Sequence, residues 1–471
     1  MTLAAPSGTH APLPRRLLFA FGFVSVPLAT GGLPLVLYLT PYYAAASNMS
    51  LALIGAILAA TRLADVLVDP LVGALSDRTP ARYGRRGLWI AAGVPVMAGA
   101  TLATFAPPSA APGPAWLFWA TGALYLGWSL ITIPLNAWVA ELSGDYHERS
   151  RLAGARAWGG VVGALLAILA PLVLATLAAA GVAAAAPTAP GSLQPMLTVL
   201  AWLTVALLLV SVPWLLRAVP QPGFDHGAAP ALLPGLGLIF ANRAFRRLLL
   251  ANIAAAIGWN SVNVLFMFFV TRCLGANEQQ WPLVVLAYFV GQLLGTPLIV
   301  RLAPRFSKHR MLAVCSLVSI ALFSGVLLLE RGDYLWYAAL NLVNGLLAPS
   351  INILGPSMAA DVIDEDHLAS GVQRGALFMA LWAMTEKLAV ALAAVLALGA
   401  AEAMGFDPAR EDPASLLALK ISFCAVPNLF FLLSVACIWR YPLDSARLAE
   451  IRAALRVRES RRLATMPAQG S

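Results

Sequence analysis

Charge is what this 471-residue chain has least of. Only 11% of its residues are Asp, Glu, Lys or Arg, against about 25% in an ordinary soluble domain, while 60% are apolar. So few charges cannot cover a water-facing surface, and a soluble enzyme is excluded. Lysine is almost missing: Lys308, Lys387 and Lys420 are all there are, and no GxxxxGK loop occurs, which argues against direct ATP hydrolysis. His10, His147, His226, His309 and His367 fall in polar connections or the tail, so neither a bis-histidine haem nor a histidine proton relay within a membrane is expected. Cys273, Cys315, Cys424 and Cys437 form no CxxC pair and lie in or beside apolar runs, where cysteine packs as a small hydrophobe. With no nucleophile–base or metal-ligand constellation, no enzymatic activity, cofactor or metal is expected. The net charge of +9 would suit nucleic acid in a soluble chain; here the arginines flank apolar runs, as orientation signals do, and no nucleic-acid partner is expected.

What the chain does have is long apolar runs. They fall at 17–46, 51–76, 88–107, 114–142, 153–180 and 195–216, then at 247–273, 281–303, 311–329, 335–361, 376–404 and 414–439. About 20 apolar residues span a bilayer, so the pattern predicts an all-α membrane protein of twelve transmembrane helices in two pseudo-symmetric six-helix bundles. The expected organisation is a first bundle over 1–216, a central cytoplasmic linker over 217–246, a second bundle over 247–440 and a basic cytoplasmic tail over 441–471. Arg15-Arg16 and Ala44-Ala45-Ala46 imitate a cleavable signal. The run between them far exceeds a signal core of about 7–15 residues, and Pro27, Gly31-Gly32 and Pro34 suit a bent first helix. Arginines gather in every second connection: Arg78, Arg82, Arg85 and Arg86, then Arg149 and Arg151, then Arg305, Lys308 and Arg310. That places those loops and both termini in the cytoplasm and the chain in the cytoplasmic (inner) membrane. The basic loop after the second run recurs after the eighth, a sign of duplicated halves that rock against each other. Gly159-x-x-x-Gly163 and Gly291-x-x-x-Gly295 permit close helix contact.

Several charges interrupt the runs. An ionised side chain at mid-membrane costs about 2.5–3.5 kcal/mol even on insertion scales, so each one implies a partner or a water-filled cavity. The second run carries Arg62, Asp65 and Asp69, whose spacings of three and four put them on one helical face. The eleventh carries Glu386 and Lys387; Arg156 lies early in the fifth and Lys420 within the twelfth. Two carboxylates one turn apart can ligate a small cation, or share a proton because like charges so close resist joint ionisation. Arg62 and Lys387 can neutralise the pair, and cation entry then displaces a lysine–aspartate contact, coupling ion binding to helix movement. A static salt-bridge cluster is the alternative; buried ion pairs stabilise poorly against apolar packing, which favours the coupling site.

The stretch Arg62-x-x-Asp65-x-x-x-Asp69-Pro70-x-x-Gly73-x-x-x-Asp77-Arg78-Thr79-x-x-Arg82-x-Gly84-Arg85 resembles the glycoside–pentoside–hexuronide:cation symporters, the melibiose-permease-like branch of the major facilitator superfamily. Two further blocks agree: Pro134 through Glu141, Asp145 and Arg149, and Asp361-Val362-Ile363-Asp364 with Gln373-Arg374-Gly375, Trp382 and Lys387. The resemblance implies the major facilitator fold, cation-site roles for Asp65 and Asp69, a helix-11 role for Lys387, and a gate-latching loop of Asp77, Arg78 and Arg82. Sugar-transporting members carry two further aspartates, where this chain has Ala29 and Thr132, which weakens the case for a hexose or disaccharide. Val68 replaces a polar residue that assists sodium in some members and tilts the coupling ion from sodium towards proton. Gly87 and Leu88 depart from the family's basic-Pro loop ending, with Trp89 kept.

Candidate solute contacts are Tyr38, Asn136, Trp138, Arg156, Trp259, Asn260, Asn263 and Trp382, with Tyr42 and Trp158 beside them; the aromatics can stack on a ring or acyl chain, and Arg156 can hold a carboxylate or phosphate. The expected function is a monomeric, cation-coupled symporter of a small organic solute working by alternating access, driven by a proton or sodium ion. A sugar or glycoside is what the resemblance implies; an amphipathic or anionic solute such as a lysolipid or organic acid is the alternative. A non-transporting receptor or scaffold is a third reading, disfavoured because a pure binder has no use for a costly intramembrane charge cluster.

Overall fold

Within lipid each backbone N–H and C=O must bond inside its own segment, and the apolar runs accordingly fold as helices. The computed structural model describes residues 14–47, 49–80, 85–108, 112–142, 146–179, 193–219, 242–277, 279–303, 305–370, 375–443 and parts of 447–457. In the first half these form α1 (Arg15–Leu37), α2 (Leu39–Ser47), α3 (Leu51–Arg78), α4 (Arg85–Phe105), α5 (Pro114–Leu142), α6 (Tyr146–Ala179) and α7 (Gln194–Ala218). In the second they form α8 (Arg243–Phe268, prolonged by a wider turn over Phe269–Cys273), α9 (Trp281–Leu302), α10 (Lys308–Gly325), α11 (Tyr334–Leu347), α12 (Pro349–Ser370), α13 (Gly375–Ala403) and α14 (Pro413–Ile438). Among the described residues eleven spans are long and apolar enough to cross a membrane, and α6 contains a shorter apolar stretch, Gly154–Ala170. Most of the expected linker and basic tail lies outside the described residues.

Two runs differ from their expected continuity. The first divides at Tyr38 into α1 and α2, because Pro41 has no N–H to offer the Leu37 carbonyl. The tenth divides at Ala348, where Pro349 likewise cannot bond the Gly345 carbonyl, and α12 then continues to Ser370, carrying Asp364, Glu365 and Asp366 beyond the apolar stretch that Asp361 ends. Side-chain caps close several helix starts: Ser50 accepts from Leu53 N–H, Asn242 from Phe245 N–H and Asp412 from Ser415 N–H.

The two halves repeat one packing pattern. In the first, α1 packs on α6 and α7, α4 on α7, and α5 on α3 and α4; in the second, α8 packs on α13 and α14, α10 on α14, and α11 on α9 and α10. Glycine sets the closest approaches. A Cβ at Gly159 or Gly163 would overlap the carbonyl oxygens of Gly22 or Val26 on α1, and one at Gly291 or Gly295 would overlap those of Leu342 or Leu346 on α11. Between the halves, α3 packs along α13, with α1 and α6 meeting α8 and α9.

Candidate functional site

The charged residues of α3 converge with the α13 lysine where the halves meet. Lys387 Nζ lies 2.7 Å from Asp65 Oδ2 and also bonds Asp69 Oδ2. Arg62 Nη1 reaches Asp65 Oδ2 at 3.4 Å, and its guanidinium rests over the Tyr125 ring of α5, 4.0 Å from the centroid. Asp65 is 3% exposed and Asp69 28%, so Asp69 is the carboxylate that a small ion can reach. From α5, Ser129 Oγ lies 2.8 Å from Asp65 Oδ1 and 2.6 Å from Asp69 Oδ1. The structure therefore brings together the four residues expected from sequence, Arg62, Asp65, Asp69 and Lys387, and adds Ser129 and Tyr125, which sequence reasoning missed. Ser129 had one signal available: a small hydroxyl in a largely apolar run, one turn before Thr132.

Beyond this cluster, away from the basic loops, the halves are tied shut. Glu402 of α13 accepts a hydrogen bond from the Ala52 N–H in the first turn of α3, at 2.6 Å. The Tyr38 ring meets Trp281 of α9 edge-on, with centroids 5.3 Å apart. Ile54, Leu58, Ala394, Ala397 and Leu398 are buried with them, and a Cβ on Gly55 would press on the Ala394 carbonyl, so α3 and α13 meet backbone to backbone here.

The expected solute contacts separate into two groups. Asn136 is exposed on the α5 face that also presents Ser129 and Thr132, two turns nearer the basic end, and it accepts a hydrogen bond from Arg156 Nη1. Arg156 Nε is buried without a partner, and no carboxylate pairs with this guanidinium among the described residues. Trp158, beside it in sequence, is 74% exposed. The second group serves packing in this conformation. Trp138 is fully buried edge-on to Phe21 of α1; Tyr38 belongs to the seal and Tyr42 is buried beside Tyr43; Trp259 sits among Tyr288, Phe323 and Phe431. Asn260 donates to the Ala256 carbonyl of its own helix, and Trp382 is buried with its Nε1 on Glu386; Asn263 is half-buried on α8. Thr132 likewise bonds its own helix, at the Trp128 carbonyl, and Ala29 faces Gly163 in the α1–α6 contact.

At the basic end, Arg78 is exposed at the end of α3, whereas the Asp77 side chain and Arg82 lie outside the described residues. Other residues hold this corner: buried Arg86 donates to Ser76 Oγ at 2.5 Å, and Trp89 Nε1 to Thr79 Oγ1 at 2.8 Å. The equivalent corner of the second half is pinned by Lys308, 2.5 Å from the buried Asp361 carboxylate.

With this geometry in hand, comparison with known proteins is informative. The family described as MFS/sugar transport protein matches residues 20–445. An uncharacterised symporter of Synechocystis is 24% identical over 513 aligned positions, covering 90% of this chain and 93% of that protein. A lactose permease of Lactobacillus delbrueckii subsp. bulgaricus is 24% identical over 427, covering 85% of this chain and 65% of the permease, which is the longer protein. Among solved structures, the nucleoside transporter NupG superposes with a TM-score of 0.65 at 13% identity, over 90% of this chain and 99% of that one. An inward-facing bacterial homologue of the human lysosomal transporter Spinster gives 0.56 at 15% identity, over 94% and 96%. These structural likenesses establish a common fold.

Proposed function

The chain belongs to the MFS/sugar transport family, and from that premise we propose that this membrane transporter is a cation-coupled symporter whose coupling site is Asp65, Asp69, Ser129 and Lys387. The observation that carries the reading is the Lys387 ammonium held by both carboxylates across the seam between halves. A cation arriving at Asp69 competes with that ammonium, so loading the site loosens the only acid–base tie of α3 to α13 among the described residues. Loading therefore lowers the cost of moving the halves apart, which is the coupling that alternating access needs. With the basic loops in the cytoplasm, the closed end faces outward.

Ser129 supports a proton as the coupling ion. One hydroxyl carries one hydrogen, yet it sits within hydrogen-bond distance of two carboxylates. The arrangement is satisfied when one carboxyl is protonated and donates to Ser129, which donates to the other. The symporter relative supports coupled transport, and the lactose permease relative together with the family description supports a sugar or glycoside as the solute. A second reading, an anionic solute, is favoured by Arg156, whose buried Nε and lack of a carboxylate partner among the described residues suit a carboxylate or phosphate.

Proteoliposomes test this directly. An imposed proton gradient should concentrate the solute with no dependence on sodium at fixed pH. Saturable binding without concentrative uptake would place the chain among receptors instead. A competition panel of neutral glycosides against organic acids separates the two solute readings. Ser129→Ala is expected to weaken apparent affinity for the coupling ion about tenfold or more, since a hydrogen bond to a charged group contributes about 1.5–3 kcal/mol. Solute binding measured without a gradient should stay unchanged; an unaltered ion dependence of uptake would remove Ser129 from the site.

The outer tie gives a separate prediction. Glu402→Ala removes a partly exposed charged contact of about 1 kcal/mol, a roughly fivefold shift in the balance of open and closed forms. Ala397 is fully buried in the seal. A cysteine introduced there should therefore label about fivefold faster with an impermeant maleimide when Glu402 is replaced by alanine. Equal labelling rates would show that the seal does not depend on Glu402.

A further inference from the structure

A groove at the basic end of the second half shares no residue with the coupling cluster or the outer seal. About 510 Å³ in volume, it opens between the first turns of α8 and the last turns of α14 and is lined by Arg247, Leu432, Val435, Ala436, Trp439 and Arg440. Leu432, Val435, Ala436 and Trp439 recur at the spacing that aligns side chains on one helical face. The apolar stripe is thus about 10 Å long, and Leu432 and Trp439 at its two ends are exposed. The crossing itself ends at Ile438, which puts Trp439 and Arg440 at headgroup level, where tryptophan and arginine anchor a helix.

The arginines are built into the mouth of the groove. Arg247 Nη1 donates to the Arg440 carbonyl at 2.6 Å, which fixes its guanidinium over the end of α14. Among the described residues neither Arg247 nor Arg440 pairs with a carboxylate, so two positive charges stand uncompensated above an apolar wall. A guanidinium pair of this kind matches the oxygens of a phosphate. A free anion would have no use for the stripe below, whereas an acyl chain would cover it.

We propose that this groove is a binding site for an anionic phospholipid, its phosphate between Arg247 and Arg440 and an acyl chain along Leu432, Val435 and Ala436. A zwitterionic lipid brings its own cation and leaves the arginines uncompensated, so the site prefers a net negative headgroup. The bound phosphate ties α8 to α14 at the membrane boundary.

The test is native mass spectrometry of the full-length protein in neutral detergent with equimolar phosphatidylglycerol and phosphatidylcholine. The wild type should retain phosphatidylglycerol at least fivefold over phosphatidylcholine. Arg440→Gln, which leaves the carbonyl accepting from Arg247 in place, and the double variant with Arg247→Gln should bring the ratio close to one. Arg301→Gln, an exposed arginine at the basic end of α9, should keep the wild-type ratio, and the melting temperature in phosphatidylcholine should match across the set. Equal retention of both lipids by the wild type overturns the proposal, as does a preference that survives in the double variant or is lost equally in Arg301→Gln. Displacement of phosphatidylglycerol by millimolar inorganic phosphate also overturns it, since the groove would then be a site for free anions.

Discussion

Asp69→Asn is expected to abolish concentrative uptake while leaving the protein folded and able to bind its solute. A monovalent cation entering with a neutral solute under a potential of 100 mV supplies about 2.3 kcal/mol, roughly a fiftyfold accumulation. Asparagine keeps the volume of aspartate and can still accept hydrogen bonds from Ser129 and Lys387. It cannot hold a proton at neutral pH or offer a charge to a metal cation, so the accumulation ratio should fall to about one. Asp69 is the better choice than Asp65 for this test. Asp65 is nearly fully buried and also bonded to Arg62, and stripping one partner from a buried ion pair costs about 3–5 kcal/mol of stability. Asp69 is the more exposed, and Lys387 keeps Asp65 after the change. Gradient-driven uptake and solute counterflow in the same proteoliposomes make the measurement, with the loss confined to the former. Wild-type accumulation by the Asp69→Asn variant would mean that the charge cluster is structural only.

Gly159→Leu is expected to prevent assembly of the first half, whereas Gly160→Leu should be tolerated. Membrane helices gain little from hydrophobic association and depend on close packing. At Gly159 any side chain would run into the backbone carbonyl of Gly22, which cannot rotate away as a side chain can. Overpacking in an adaptable core costs about 1–3 kcal/mol; a rigid backbone contact exceeds that range and forces α1 and α6 apart. Gly160 has nothing within 4 Å of where its Cβ would stand. Size-exclusion profiles of detergent extracts should show at least a tenfold loss of monodisperse protein for Gly159→Leu and a wild-type peak for Gly160→Leu. A normal peak for both would mean that the α1–α6 contact can loosen without cost.

The spans were legible in the sequence because crossing a membrane is a local requirement: enough consecutive apolar residues, with backbone bonds satisfied inside one helix. The same locality put Arg62, Asp65 and Asp69 on one face of α3, and the cost of each charge marked that face as the place to look. Which side of a helix packs against another is not local. A soluble helix reveals its buried face by contrast with its polar one, but lipid is as apolar as a protein core, so a membrane helix carries little such contrast. For that reason Trp138 and Tyr38, chosen from sequence as solute contacts, proved to be buried against Phe21 and Trp281. Only the assembled bundle decided that Lys387 reaches both aspartates, that Ser129 sits between them, that Gly159 rather than Gly160 meets α1, and that Glu402 closes the far end over Ala52. Each of these is a meeting of residues distant in the chain, fixed by helix rotation and tilt that no single segment encodes.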